Sequence, residues 1–181
     1  ILLGTMAGYH HTGHIHWGYF FLALFGGIFL HSGANVSNDY FDHLSRNDEV
    51  NKDYVRPFTG GSSMIQEGRL SPREVLIGSL VFLFLGSAIG IYLTVKISPA
   101  ILIIGIVGII SAFFYTAPPL YLVSRGIGEF FIFLNFGVLM TLGAYYVQTG
   151  SFSWEPIIAS LPIAFLISAI LYINEFQDYN A

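Results

Sequence analysis

The chain contains no cysteine in 181 residues, which excludes thiolate nucleophiles, Cys-bound zinc and a disulfide frame. Charge is nearly as scarce. Only 10% of the residues are Asp, Glu, Lys or Arg, against about a quarter in an ordinary soluble domain, so the chain cannot clothe a water-facing surface. No basic stretch followed by a small-residue cleavage site stands near the start, so no secretory signal is read there. The chain opens at Ile1 without a methionine and stops just after a polar stretch, and so reads as a piece of a longer protein. What it has in quantity is apolar: 54% hydrophobic residues, 17% aromatic, and a mean hydropathy of +0.67. That composition predicts a polytopic membrane protein. The formal net charge of −4 then says little, because the position of each charge matters more than the sum.

A helix needs about 20 mostly apolar residues to cross a bilayer core. Five stretches qualify, at 17–37, 74–95, 98–116, 127–147 and 156–174, and residues 1–8 read as the tail of an earlier helix. None alternates apolar and polar positions as a membrane strand does, so the fold class is an all-α transmembrane bundle. Of the seven Lys and Arg residues, Arg46, Lys52, Arg56, Arg69 and Arg73 lie in one loop, 43–73, and Arg125 lies in the loop 117–126. The positive-inside rule makes the face carrying those loops cytoplasmic. Lys96, a His-rich turn at 9–16 and the turn 148–155 fall outside, with Trp154, Tyr145 and Tyr146 as interfacial aromatics. The same parity returns residue 174 to the cytoplasmic face.

The first of these stretches runs into Asn35-Val-Ser-Asn38-Asp39-Tyr-Phe-Asp42, with Asp48 further on. Offsets of 0, 3, 4 and 7 put Asn35, Asn38, Asp39 and Asp42 along one stripe of a helix. Carboxylates near membrane depth are costly, and a functional role is their default reading. Two acids four or fewer apart repel, and a bound cation relieves them; an all-oxygen Asn/Asp set suits Mg²⁺, which bridges readily to phosphate. The blander reading is a solvated helix end. In the loop that follows, Arg56 and Gly60-Gly61-Ser62-Ser63 could receive an anion, whereas Ser71, Pro72 and Glu74 read as an N-cap, a first-turn proline and a capping-box acid that start the next span. At the end of the last span Asn174 and Asp178 repeat the four-residue Asn/Asp spacing. Two such sets on one face can hold Mg²⁺ around a diphosphate, an arrangement that serves ionisation of an allylic diphosphate beside a dry pocket.

These residues resemble the UbiA-type intramembrane prenyltransferases, over what would be the first two thirds of such an enzyme. Asn38-Asp39-Tyr-Phe-Asp42 with Asp48 six residues on is similar to the form found in 1,4-dihydroxy-2-naphthoate prenyltransferases of menaquinone synthesis. So are Tyr115-Thr-Ala-Pro-Pro-Leu, Arg125-Gly-Ile-Gly-Glu129 and Gly143-Ala-Tyr-Tyr-Val-Gln148-Thr-Gly. Arg46 and Pro119 stand where the hydroxybenzoate branch has an Asp and a Lys. The family's arginine-bearing first helix, the closing Asp of its second motif and its later helices, about nine spans in all, are not in this chain. The resemblance implies a Mg²⁺-dependent polyprenyltransferase in the cytoplasmic membrane, its site facing the cytoplasm. It would move a polyprenyl group from the diphosphate to an aromatic acceptor, dihydroxynaphthoate being the one the motifs favour, and it has no nucleic-acid partner. Asp39, Asp42 and Asp178 would be catalytic, with Asn38, Asp48 and Asn174 joining them on metal, while Asn35, Arg56, Tyr115 and Arg125 would face the diphosphate.

Alternatives stay open. The acceptor could be 4-hydroxybenzoate, a haem or a glycerol phosphate lipid. A CDP-alcohol phosphotransferase should show Asp-Gly and Ala-Arg in its acidic motif, and this chain shows neither; a secondary transporter should carry its acids in broken helices near the bilayer centre. Tyr115 is either a diphosphate or acceptor contact or an interfacial tyrosine, and Arg125 either a phosphate ligand or a positive-inside anchor. His31 could extend the polar stripe or simply pack. His10, His11, His14 and His16 lie on the wrong side for the acids, and Gln148 reads as structural. Gly86 and Gly90 have the spacing of a helix-packing motif.

Overall fold

The computed structural model describes residues 1–45 and 62–175, without the side chains of Ser45, Ser124, Asn174 and Glu175. Helix α1, Leu2–Thr12, ends where Gly13 turns left-handed at φ 74° and its N–H returns to Tyr9 O, the usual glycine stop. Helix therefore covers the first part of what the sequence reads as a His-rich turn; only residues 13–16 turn. Helix α2, Trp17–Ser45, is 29 residues long. It does not stop at residue 37 but carries the Asn/Asp stripe within regular helix. Helix α3, Pro72–Lys96, begins at the expected capping box: Ser71 N–H donates to Glu74 Oε2 at 2.8 Å, and Glu74 N–H to Ser71 Oγ at 3.3 Å.

Helix α4, Ala100–Phe113, is 14 residues, shorter than the span predicted over 98–116. The Thr-Ala-Pro-Pro sequence after Tyr115 supplies no continuous donors for another helical turn. Helix α5, Gly128–Ile132, passes into a π-helical stretch, Phe133–Leu139, and then into α6, Met140–Thr149. Helix α7 runs Trp154–Glu175 with Pro162 inside it. Among the described residues four helices are long and apolar enough to cross a membrane, Trp17–Leu44, Pro72–Lys96, Gly128–Thr149 and Trp154–Ile173, with α4 as a shorter apolar helix. Among the described residues there is no strand.

Small residues set the packing. α2 and α3 form the most extensive pair; a Cβ on Gly86 would meet Leu30 Cγ at 2.6 Å, and Ser79 Oγ donates to Gly33 O at 2.9 Å across the pair. Gly137, in the π-helical stretch, lies against Ala164 of α7, whose Cα would be 2.7 Å from an added Cβ. Gly90 behaves differently from Gly86. Nothing lies within 4 Å of its Cβ position, so it does not continue a packing seam. Outward-facing side chains such as Phe84 and Val95, 70% and 79% exposed, suit contact with lipid.

One end of the bundle is tied together by side chains. Gln148 Oε1 accepts from His16 N–H at 2.8 Å, and its Nε2 donates to His16 O at 3.4 Å, so this residue pins the α1–α2 turn to the end of α6. Trp154 is exposed, as an interfacial aromatic should be, but Tyr145 and Tyr146 are buried. Their hydroxyls share hydrogen bonds with His11 Nδ1 at 2.7 Å and Ser98 Oγ at 3.0 Å. Burial of two hydroxyl-bearing rings is affordable only with such partners.

Candidate functional site

The opposite end holds the Asn/Asp stripe. Helical geometry advances about 6 Å per four residues, so Asn35, Asp39 and the Asp42 level climb one side of α2 toward its C-terminal end. Asn38 is fixed from outside its own helix: Thr116 Oγ1 donates to Asn38 Oδ1 at 2.7 Å. That bond brings the turn after α4 to the stripe, and Phe41 packs edge-on against Phe113 at 5.7 Å beside it. Asp39 Oδ1 accepts from Ser62 N–H at 3.4 Å, a long bond that returns the far end of the 43–73 loop to the carboxylate. Asp39 and Asp42 are half-buried. Asn35 Nδ2 lies 3.3 Å from His31 Nε2, one turn deeper in the bundle.

The remaining expected site residues are placed as follows. Tyr115 is buried, its ring and hydroxyl against Gly128 at the start of α5, where an added Cβ would meet the hydroxyl oxygen at 3.3 Å. Arg125 is exposed, its Nη2 donating to Pro119 O at 3.4 Å. Asn174 falls in the last turn of α7. Asp48, Arg56 and Asp178 lie outside the described residues. Reasoning from spacing missed Thr116: it stands inside the quoted Tyr115-Thr-Ala-Pro-Pro segment, but nothing in the sequence links it to Asn38, 78 residues away.

Below the stripe a cavity of about 210 Å³ opens between α2, α3, α4 and the Gly128–Thr149 span. Its walls include Leu30, Leu83, Gly90, Gly105 and Met140, and its polar lining side chains are His31 and Asn135. Gly90 and Gly105 have no atom within 4 Å of their Cβ positions and so keep the space open. Asn135 is occupied within the wall, donating to Phe131 O at 2.9 Å and accepting from Ser111 Oγ at 3.0 Å. Leu93, Ile101, Tyr146 and Val147 form a buried cluster at the far end. The chamber is thus apolar apart from His31 and Asn135.

The profile of the UbiA prenyltransferase family matches residues 1–181. The chain belongs to that family. Similar curated proteins include 1,4-dihydroxy-2-naphthoate octaprenyltransferases of Bacillus subtilis, 26% identical over 88% of this chain and 49% of the relative, and of Haemophilus influenzae, 31% identical over 87% and 51%. A 2-carboxy-1,4-naphthoquinone phytyltransferase of Synechocystis is 27% identical over 98% of this chain and 55% of its own length. The chain spans about half the length of the curated relatives it matches. No solved structure matches it. As a UbiA-family member the protein is a polytopic, membrane-embedded helical bundle.

The donors of the stripe are chemically suited to a hard cation. Asn35, Asn38, Asp39 and Asp42 offer carboxylate and carboxamide oxygens, the ligand class that Mg²⁺ takes. Among the described residues no three His, Cys, Asp or Glu side chains gather into a metal-holding group.

Proposed function

We propose that the protein transfers a polyprenyl group from an allylic polyprenyl diphosphate to an aromatic acceptor, 1,4-dihydroxy-2-naphthoate, in the cytoplasmic membrane, as a step of menaquinone synthesis. What supports the reading is that the Asn35–Asp42 stripe continues along α2 from Leu30, His31 and Ala34, which line the apolar cavity. The names of the naphthoate-acting relatives favour that acceptor.

Asn38, Asp39 and Asp42 would hold Mg²⁺ from α2, joined by Asp48 and, from the second set, Asn174 and Asp178. When bound, Mg²⁺ neutralises the charge that develops on the diphosphate leaving group. Thr116 holds the Asn38 carboxamide in one orientation, which lowers the cost of ordering that ligand. Arg56 and Arg125, on the face made cytoplasmic by the positive-inside rule, balance the phosphate charge. Asn35 from the stripe and Tyr115 from the turn after α4 would face the diphosphate. The cavity keeps water from the allylic carbon. The C1–O bond to diphosphate breaks, a ring carbon of the acceptor bonds to C1, and the ring regains aromaticity by losing its proton or, for a carboxylated naphthoate, CO₂.

The test incubates the full-length protein in membranes with Mg²⁺, a labelled polyprenyl diphosphate and a panel of acceptors. Prenylated dihydroxynaphthoate is expected, and Asp42→Ala should abolish it while the protein stays folded. Product from 4-hydroxybenzoate but not from dihydroxynaphthoate overturns the acceptor; full activity in Asp42→Ala overturns the role of the stripe.

A further inference from the structure

His31 is the one ionisable side chain lining the cavity among the described residues. An imidazole inside a membrane span is expensive, and a leucine would fill the same helix face at no such cost. Its position is also specific. It lies four residues before Asn35, so the two side chains meet on one face of α2, and they do so at 3.3 Å, Asn35 Nδ2 to His31 Nε2. Phe136, in the π-helical stretch, sets its edge-to-face ring contact on the imidazole at 4.9 Å and 84°. That contact limits rotation of the His31 ring.

The chemistry of the pair fixes a direction. A carboxamide nitrogen can only donate, so His31 Nε2 accepts and the neutral ring carries its proton on Nδ1. With its nitrogen committed to His31, the Asn35 carboxamide has its oxygen left to accept. We propose that His31 is a positioning residue: it orients Asn35 so that the carboxamide oxygen, an acceptor, faces the Mg²⁺ that accompanies the diphosphate. The inference rests on the reading of the stripe as a diphosphate site and assigns His31 no contact with substrate.

The experiment is a double-mutant cycle on the full-length protein with His31→Leu, Asn35→Ala, the double variant and His31→Gln. Two readouts are taken: KM for a polyprenyl diphosphate against KM for dihydroxynaphthoate, and the rise in melting temperature on adding inorganic pyrophosphate with Mg²⁺. Loss of one orienting hydrogen bond predicts about a tenfold rise in the diphosphate KM for His31→Leu. The acceptor KM should hold, and the pyrophosphate-induced stabilisation should shrink. In the Asn35→Ala background His31→Leu should add nothing, because residues acting through one contact are non-additive. Gln at a four-residue spacing can still accept from an Asn, so His31→Gln should restore most of the lost affinity. Multiplicative losses, no loss, or a rise in the acceptor KM alone would each overturn the positioning role. A wild-type protein that makes no product and is not stabilised by pyrophosphate sinks the functional reading itself, a different result from a failed cycle.

Discussion

Gly90→Leu tests whether the cavity receives the isoprenoid chain. Gly90 has open space at its Cβ position and lines the cavity, so a leucine there takes up chamber volume. The change also favours folding, since leucine improves on glycine in a helix by roughly 0.8–1 kcal/mol. Its depth can be worked out. The neighbouring Ile89 packs on Gly26, with an added Cβ there 3.2 Å from Ile89 Cγ2. Gly26 precedes Asn35 by nine residues, about 13 Å along α2. Three backbone bonds span about 3.6 Å when extended, so a four-bond isoprene repeat covers about 5 Å. With C1 near Asn35, the third unit reaches the level of Gly90. A donor of two units should be used as before. Longer donors lose the burial of each excluded five-carbon unit, about 4 kcal/mol at 0.8 kcal/mol per buried carbon, or roughly a thousandfold in kcat/KM if exclusion is complete. The assay offers a two-unit donor and a long polyprenyl donor in competition and reads the product ratio by mass. A folded variant with the wild-type ratio refutes the placement of the chain in this cavity.

Other expectations follow from single contacts. Gly137→Ala forces a methyl into Ala164 of α7 and should cost about 1–3 kcal/mol by overpacking, seen as a lower melting temperature in detergent, with Ala164→Gly in the same chain restoring only part because the Cα still crowds the site. Thr116→Val removes the donor to Asn38 and should cost about 0.5–1.5 kcal/mol of transition-state stabilisation, read as a severalfold fall in kcat/KM for the diphosphate with the melting temperature nearly unchanged. Gln148→Leu strips both bonds to His16 and should lower stability by about 1–3 kcal/mol without changing the acceptor preference. Chelation of Mg²⁺ should stop product formation and readdition restore it, measured with the same labelled donor; activity persisting in excess chelator would refute the reading of the Asn/Asp stripe.

The membrane class, the all-α fold and the capping of α3 at Ser71 were legible in the sequence because each depends on local facts. Apolar length sets a span, and a cap is satisfied within four residues. The Asn/Asp stripe was legible for the same reason: helical spacing alone puts Asn35 and Asp39 on one face. Local spacing could not say where α2 ends, since residues 43–45, read as the start of the loop, remain helical. Nor could it separate Gly86 from Gly90. Both are small residues four apart, but one meets Leu30 and the other faces a cavity, and that depends on which helix arrives opposite. Likewise Tyr145 and Tyr146 read as interfacial aromatics until His11 and Ser98, brought in from other helices, made their burial tolerable. Residue type and periodicity determine what a helix can present; only the packing of separate helices decides which atoms meet, because contacts such as Thr116 to Asn38 join positions with no spacing relation along the chain.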